Sequence, residues 1–271
     1  MMSKGVLVDV TRCIGCRSCM VACKTWNDLP AKKTTFSNTW DSPGKMDADT
    51  WTVVNSYVIE EDDQVKWRFV KKQCMHCNEP ACESACFTHA FVKTQEGAVI
   101  YKPTVLNKDY CVGCRYCMIA CPFDVPKFQW EKAFPYVQKC KFCYERLQEG
   151  LEPACVTACP TGALQFGDRE ELLAEARKRI DSNPNYYKKI YGEKEYGGTS
   201  WMYISDVPFE QIGFKEDVSQ KSIPSYTWDV LKWTPFIFFG WGAVLTALRA
   251  YTKRRAEVHN EEEMFAPVEK E

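Results

Sequence analysis

Cys111-Val-Gly-Cys114-Arg-Tyr-Cys117-Met-Ile-Ala-Cys121-Pro122 is the stretch from which the rest of this chain is read. Its cysteines follow the spacing C-x2-C-x2-C-x3-C-P. Steps of two residues let the first three sulfurs converge on one centre. Gly113 has no Cβ, so the backbone turns tightly and its amides approach those sulfurs. Pro122 ends any helix begun in the run and sends the fourth cysteine elsewhere.

The run is one of four. Cys13-Ile-Gly-Cys16-Arg-Ser-Cys19-Met-Val-Ala-Cys23 repeats it almost residue for residue. Cys74, Cys77, Cys82 and Cys86 give C-x2-C-x4-C-x3-C, and Cys140, Cys143, Cys155 and Cys159-Pro160 give C-x2-C-x11-C-x3-C. Each group closes on C-x3-C, and four groups of four use all 16 cysteines. Three-cysteine runs of this kind hold 4Fe–4S cubanes, so the pattern predicts four 4Fe–4S clusters with these cysteines as ligands.

The 271 residues suffice for one large or two small domains. A net charge of −1 and a pI near 6.4 argue against a nucleic-acid footprint, which would be basic. A disulfide scaffold would be short and led by a signal peptide. Met1-Met2-Ser3-Lys4 instead runs straight into Val6-Leu7-Val8-Asp9-Val10, with no apolar export region and no twin arginine. Zinc is the more serious competitor, because C-x2-C pairs serve zinc sites too, but those take two separated pairs or add histidine. A zinc-bearing scaffold and a free-standing soluble ferredoxin-type carrier are the alternatives from other functional classes.

In chain order, residues 5–10 read as a short strand feeding the first cysteine group. The polar stretch from Lys24 to Asp49 reads as a surface insertion. Residues 51–59 and 65–70 are rich in β-formers, and Glu60–Gln64 between them predicts a hairpin with a five-residue loop. Short strands are expected at Phe91-Val92 and 98–101. The aromatic run Phe128, Trp130, Phe134, Tyr136 reads as packing around clusters with little core of their own. Asp168 with Glu171 predicts a capping box for a helix over 169–181, its buried face carrying Leu172, Leu173, Ala176 and Ile180. Residues 183–227 read as loop, wrapping a partner or lying on the surface, with one strand at Trp201–Ser205.

Trp233–Leu248 is sixteen residues without a charge. Lys232 and Arg249 can snorkel to extend it to about twenty residues, the length of a membrane span. Trp228, Trp233 and Tyr251 suit the interfaces. A buried soluble helix would be weakened by Gly240 and Gly242, which a membrane helix tolerates. His76 lies within Cys74-Met-His-Cys77 and suits a hydrogen bond near a cluster more than ligation. His89 and His259 carry no argument.

The whole pattern resembles the four-cluster iron–sulfur subunits of respiratory molybdopterin oxidoreductases and quinone-linked hydrogenases. Asp9–Cys16, Trp26-Asn-Asp28, Trp51-Thr-Val53 and Lys72–Cys77 are most similar to the β subunit of formate dehydrogenases of the N type. So are the missing signal peptide and the single C-terminal hydrophobic helix. Gly113–Met118, Tyr191–Glu195 and Gly197–Ser200 look equally like the iron–sulfur subunit of membrane-bound uptake nickel–iron hydrogenases. One departure is Phe87, where proline commonly follows the cysteine.

The resemblance implies an α+β fold of two ferredoxin-like double-cluster modules, one inserted in the other, plus one C-terminal transmembrane helix. Its expected divisions are 1–30 with 138–182 (first module), 31–70 (insertion with hairpin), 71–137 (second module), 183–227 (partner-wrapping or surface loop), 228–252 (membrane helix) and 253–271 (polar tail). In a two-cluster ferredoxin arrangement the fourth cysteine of a run ligates the other cluster. The central groups then pair as Cys74, Cys77, Cys82 with Cys121, and Cys111, Cys114, Cys117 with Cys86. By the resemblance the outer groups pair as Cys13, Cys16, Cys19 with Cys159, and Cys140, Cys143, Cys155 with Cys23.

The implied function is non-catalytic electron transfer, since the chain shows no nucleophile–base pair, phosphate loop or molybdopterin site. Electrons would pass from a molybdopterin (formate-oxidising) or nickel–iron catalytic subunit to a membrane cytochrome b and quinone. The expected location is the cell inner membrane in a single pass. Lys253-Arg-Arg255 keeps the C-terminus cytoplasmic and places the cluster domain on the periplasmic face.

Overall fold

The computed structural model describes residues 3–39, 41–61, 64–102, 104–105, 108–109 and 111–265. The chain divides into a compact unit through Pro224 and a separate unit from Ser225 onward. The architecture is mixed α and β, with a long apolar C-terminal helix.

The first unit is built on strand β1 (Lys4–Asp9), which lies between β10 (Leu164–Asp168) and β11 (Trp201–Ile204). It pairs antiparallel with β10, Val6 opposite Phe166, and parallel with β11, Val6 opposite Trp201. Both faces of β1 are covered, which is why its sequence is an unbroken apolar run rather than an alternating one. Val6 and Val8 join Trp201, Tyr203, Phe209 and Ile212 on one face. Leu7 joins Met202, Ile204 and the Leu172, Leu173, Ala176 and Ile180 stripe of helix α6 (Arg169–Ser182) on the other. Burying each such aliphatic side chain contributes about 1.5–3 kcal/mol.

Three expectations change. Residues 183–227 read from sequence as surface or partner-wrapping loop apart from one strand. That strand forms, as β11, while Phe209 and Ile212, in the stretch read as loop, are among the most buried side chains. The segment's aromatic residues are what the sheet face packs against, and glycines turn the chain between them. The hairpin of β2 (Val53–Glu61) and β3 (Gln64–Lys72) pairs out to Glu61 opposite Gln64, so its link is shorter than five residues. Asp168 occupies the N-cap of α6 without bonding the helix amides. Its carboxylate takes the ammonium of Lys4 at 2.9 Å, so the expected capping box with Glu171 is not formed.

Short elements complete the unit. Strands β4 (Phe91–Lys93) and β5 (Val99–Tyr101) form a ladder. So do β6 (Thr104–Val105) with β7 (Lys108–Asp109), and β8 (Lys127–Phe128) with β9 (Val137–Gln138). The helices are α1 (Ser18–Trp26), α2 (Ala81–Ser84), α3 (Tyr116–Ala120), α4 (Tyr144–Gln148) and α5 (Ala154–Thr157).

In the second unit, after α7 (Ile223–Leu231), helix α8 runs from Thr234 to Phe265. The helical stretch Ile223–Asn260 is long and apolar enough to cross a membrane, with a mean hydropathy of 1.3 in its most apolar window. None of that window is buried within the protein. Phe236, Ile237, Phe238, Phe239 and Trp241 project around the helix, all exposed.

Candidate iron–sulfur sites

Local backbone chemistry brings the cysteines into position. In both near-identical runs the glycine is left-handed, φ +68° at Gly15 and +70° at Gly113. The following arginine is left-handed too, φ 62° at Arg17 and 61° at Arg115, and each arginine N-caps a helix. Cys13 and Cys16 (or Cys111 and Cys114) therefore precede the helix, while Cys19 (or Cys117) sits in its first turn. The other two groups use proline. Pro80 and Pro153 N-cap α2 and α5, which carry Cys82 and Cys155 in their first turns. Helix α1 packs on α5, and α2 packs on α3. Cysteines far apart in sequence thus face one another.

Cys13, Cys16, Cys19 and Cys159 line one cavity, together with Lys71. A second is lined by Cys23, Cys140, Cys143 and Cys155, again with Lys71. A third is lined by Cys74, Cys77, Cys82 and Cys121, with Lys139. Cys86, Cys111 and Cys114 surround Cys117 closely enough to add to the burial that pushes its thiol upward. A larger cavity, about 640 Å³ beside α6 and lined by Arg177, Lys189, Glu193 and Glu216 among others, contains no cysteine.

The donor chemistry fits cubane binding. All sixteen cysteines are free thiols. Burial pushes Cys19, Cys23, Cys82 and Cys117 up to about 12 and Cys121 to about 11. Such thiols stay neutral until a metal centre takes their protons. Donors already point at the sulfurs: the Ala90 amide at Cys86 Sγ (3.3 Å) and the Phe142 amide at Cys140 Sγ (3.4 Å). Among the described residues no group of three His, Cys, Asp or Glu side chains is placed to hold a single metal ion.

Buried cations beside these cysteines are a feature that cysteine spacing does not reveal. Lys71 is 2% exposed and Lys139 4%. Lys139 Nζ lies 3.7 Å from Cys74 Sγ and also donates to the Val99 carbonyl. Lys93 is partly enclosed, donating to the carbonyls of His76 (3.0 Å) and Gly97 (2.8 Å), and burial pushes it down to about 8. No sequence signal marks these lysines, since nothing in a strand such as Val65–Lys72 says which lysine points inward.

His76 behaves as its place in the sequence suggests. It is fully buried, and desolvation, with the nearby lysines, pushes its pKa well down. The Val99 amide donates to Nδ1 at 2.9 Å. The proton of the neutral ring is therefore on Nε2, which donates to Cys140 Sγ at 3.5 Å. A residue from the second cysteine group thus supports a cysteine of the fourth. The aromatic run differs from expectation: Trp130 and Phe134 are exposed, and Arg115 stacks 4.9 Å over the Trp130 ring instead.

Residues 65–169 match the 4Fe–4S dicluster domain family. A protein of Nitratidesulfovibrio vulgaris is 48% identical over 268 residues, covering 97% of this chain and 70% of the relative. The formate dehydrogenase iron-sulfur subunit of Haemophilus influenzae is 37% identical over 83% of this chain and 73% of its own length. The hydrogenase-2 operon protein HybA of Escherichia coli O157:H7 is 35% identical over 78% and 72%. With twelve cysteines lining three compact cavities, the other four grouped at Cys117, and relatives of this kind along most of its length, the chain belongs to the 4Fe–4S dicluster iron–sulfur subunits, the electron-transfer components of formate dehydrogenase- and hydrogenase-type oxidoreductases.

Proposed function

We propose that this chain relays electrons through four 4Fe–4S clusters, from a formate-oxidising molybdopterin subunit to a membrane cytochrome b and quinone. When bound, the clusters supply one-electron storage at potentials the protein adjusts. The residues holding them would be Cys13, Cys16, Cys19, Cys159; Cys23, Cys140, Cys143, Cys155; Cys74, Cys77, Cys82, Cys121; and Cys86, Cys111, Cys114, Cys117. The observation that carries this reading is the lining of three separate cavities by four cysteines each. Lys71 between the first two sets, and the His76–Cys140 contact between the second and third, support a linear order of the sets as written. The chain then forms two ferredoxin-like modules, 1–30 with 138–182 and the inserted 71–137.

The apolar helix anchors the subunit in the inner membrane, with Lys253-Arg254-Arg255 on the cytoplasmic side and the cluster unit on the outer face. A hydrogenase partner is the second reading, favoured by the similarity to HybA. Purification of the native complex tests both: a molybdopterin-binding chain supports the first, a nickel–iron chain the second. Iron near ~16 per chain is expected of four cubanes, and about half that value overturns the ligand assignment. Protease added to intact spheroplasts should cut the cluster unit and spare the tail; the reverse pattern overturns the orientation.

A further inference from the structure

Lys71 is the most unusual ionisable group in the cluster unit. It leaves β3 just before Cys74, is 2% exposed, and lines both the Cys13/Cys16/Cys19/Cys159 cavity and the Cys23/Cys140/Cys143/Cys155 cavity. Its ammonium donates to Gln73 Oε1 at 2.9 Å and sits 4.4 Å over the Trp201 ring. Gln73 is itself fixed, donating from Nε2 to the Tyr203 hydroxyl at 2.8 Å, and that hydroxyl donates to the Lys71 carbonyl at 2.9 Å. Among the described residues no carboxylate pairs with Lys71. A buried cation without a counter-charge is strongly disfavoured, so its compensation must come from the cavities it lines. Burial pushes this ammonium down, but Cys155, Cys19, Cys140 and Cys23 push it up more, with a net rise. All four belong to the two outer sets.

We propose that Lys71 is the shared counter-charge of the two outer clusters and sets both of their reduction potentials upward together. The inference rests on the four-cluster reading above. A cubane with four thiolates is anionic and gains a further negative charge on reduction, so a fixed cation beside it favours the reduced form. One ammonium between two such centres couples them: the same residue moves both potentials and leaves the two central ones alone. Lys71 is a positioning residue for charge, with no part in ligation.

The experiment is a redox titration followed by electron paramagnetic resonance on the anaerobically purified complex, with iron and sulfide assayed per chain. Cys16→Ser, Cys143→Ser, Cys77→Ser and Cys114→Ser, each removing one signal, assign the two outer and the two central spectra. In Lys71→Met with iron intact, two of four midpoints should fall, each by a tenfold or greater change in the reduction equilibrium, which is about 59 mV for one electron. Lys71→Arg should restore both. Should Lys71→Met assemble poorly, Gln73→Glu neutralises the ammonium in place and should lower the same two midpoints. Full iron with unmoved midpoints, or a shift confined to the central pair, overturns the proposal. Wild-type iron at half the expected value overturns instead the cluster reading beneath it.

Discussion

The segments Cys13–Cys23 and Cys111–Cys121 have nearly one sequence and one backbone, yet they sit in different surroundings. Glycine and arginine adopt matching left-handed angles in each, and a helix begins at the same place. Outside the backbone the likeness stops. A Cβ on Gly15 would lie 2.5 Å from the Phe69 ring of β3, whereas one on Gly113 would meet nothing nearer than Phe128 at 3.7 Å. Arg17 pairs with Asp41 at 3.6 Å, while Arg115 lies over the Phe128 and Trp130 rings. Cys19 has Lys71 for a neighbour, and Cys117 has only other cysteines among its main charged influences. The cysteine spacing dictates local geometry; the electrostatic setting comes from segments distant in sequence.

The strongest test of the likeness is ligand removal. Cys16→Ser and Cys114→Ser should each abolish one cluster, lowering iron by about four of sixteen per chain. A loss of eight from either would show that the two segments do not serve single clusters equivalently. The next largest effect is in pH. Burial holds the thiols of Cys19 and Cys117 near 12 against an ordinary 9.0. A raised thiol adds stability to the metal-free fold that is complete below about 9 and lost as pH rises toward 12, at most about 1.4 kcal/mol for each pH unit crossed. Denaturation midpoints of the iron-free chain should therefore fall across that window. Those of the loaded chain, whose thiolates carry no proton, should stay level there; parallel curves would show that the buried thiols do not govern the loss.

Substituting the glycines probes the difference directly. Gly113→Ala should cost about 1–2 kcal/mol for left-handed backbone alone. Gly15→Ala should cost about 1–3 kcal/mol more, because the ring of Phe69 must move. Phe69→Leu should recover part of that excess at Gly15 and nothing at Gly113, measured by urea midpoints of the loaded chain. The smallest effect is at the arginines. Arg17→Ala and Arg115→Ala should each cost on the order of 1 kcal/mol or less. Added salt should shrink the first cost and leave the second unchanged, since a partly exposed ion pair is screened and ring stacking is not.

Much of the site was legible because ligand spacing is a local code. The cysteine groups, the strand at residues 5–10, the buried face of the helix after Asp168 and the apolar helix near the C-terminus all follow from short-range pattern. What escaped is tertiary. Apart from the strand at Trp201–Ser205, residues 183–227 look like loop by composition, yet Phe209 and Ile212 complete the face on which Val6 and Val8 pack. Lys71 and Lys139 look like ordinary surface charges, and only the cavities behind them make them buried cations. Asp168 has the sequence of a cap for its own helix, but Lys4, 164 residues away, claims it.

Strand β1 also imposes an order on biosynthesis. Its partners Leu164–Asp168 and Trp201–Ile204 leave the ribosome long after it does. The cavity that takes Cys13, Cys16 and Cys19 needs Cys159 as its fourth wall. The central cavity asks only for residues between Cys74 and Lys139. A growing chain can thus complete an inner site while its own first strand is still unpaired. The outer site closes later, when Cys159 and the strands that follow it return to the beginning of the chain. On the four-cluster reading proposed above, the two outer sets can take iron and sulfide only after Cys159 and Cys155, respectively, have been made, later than the central set.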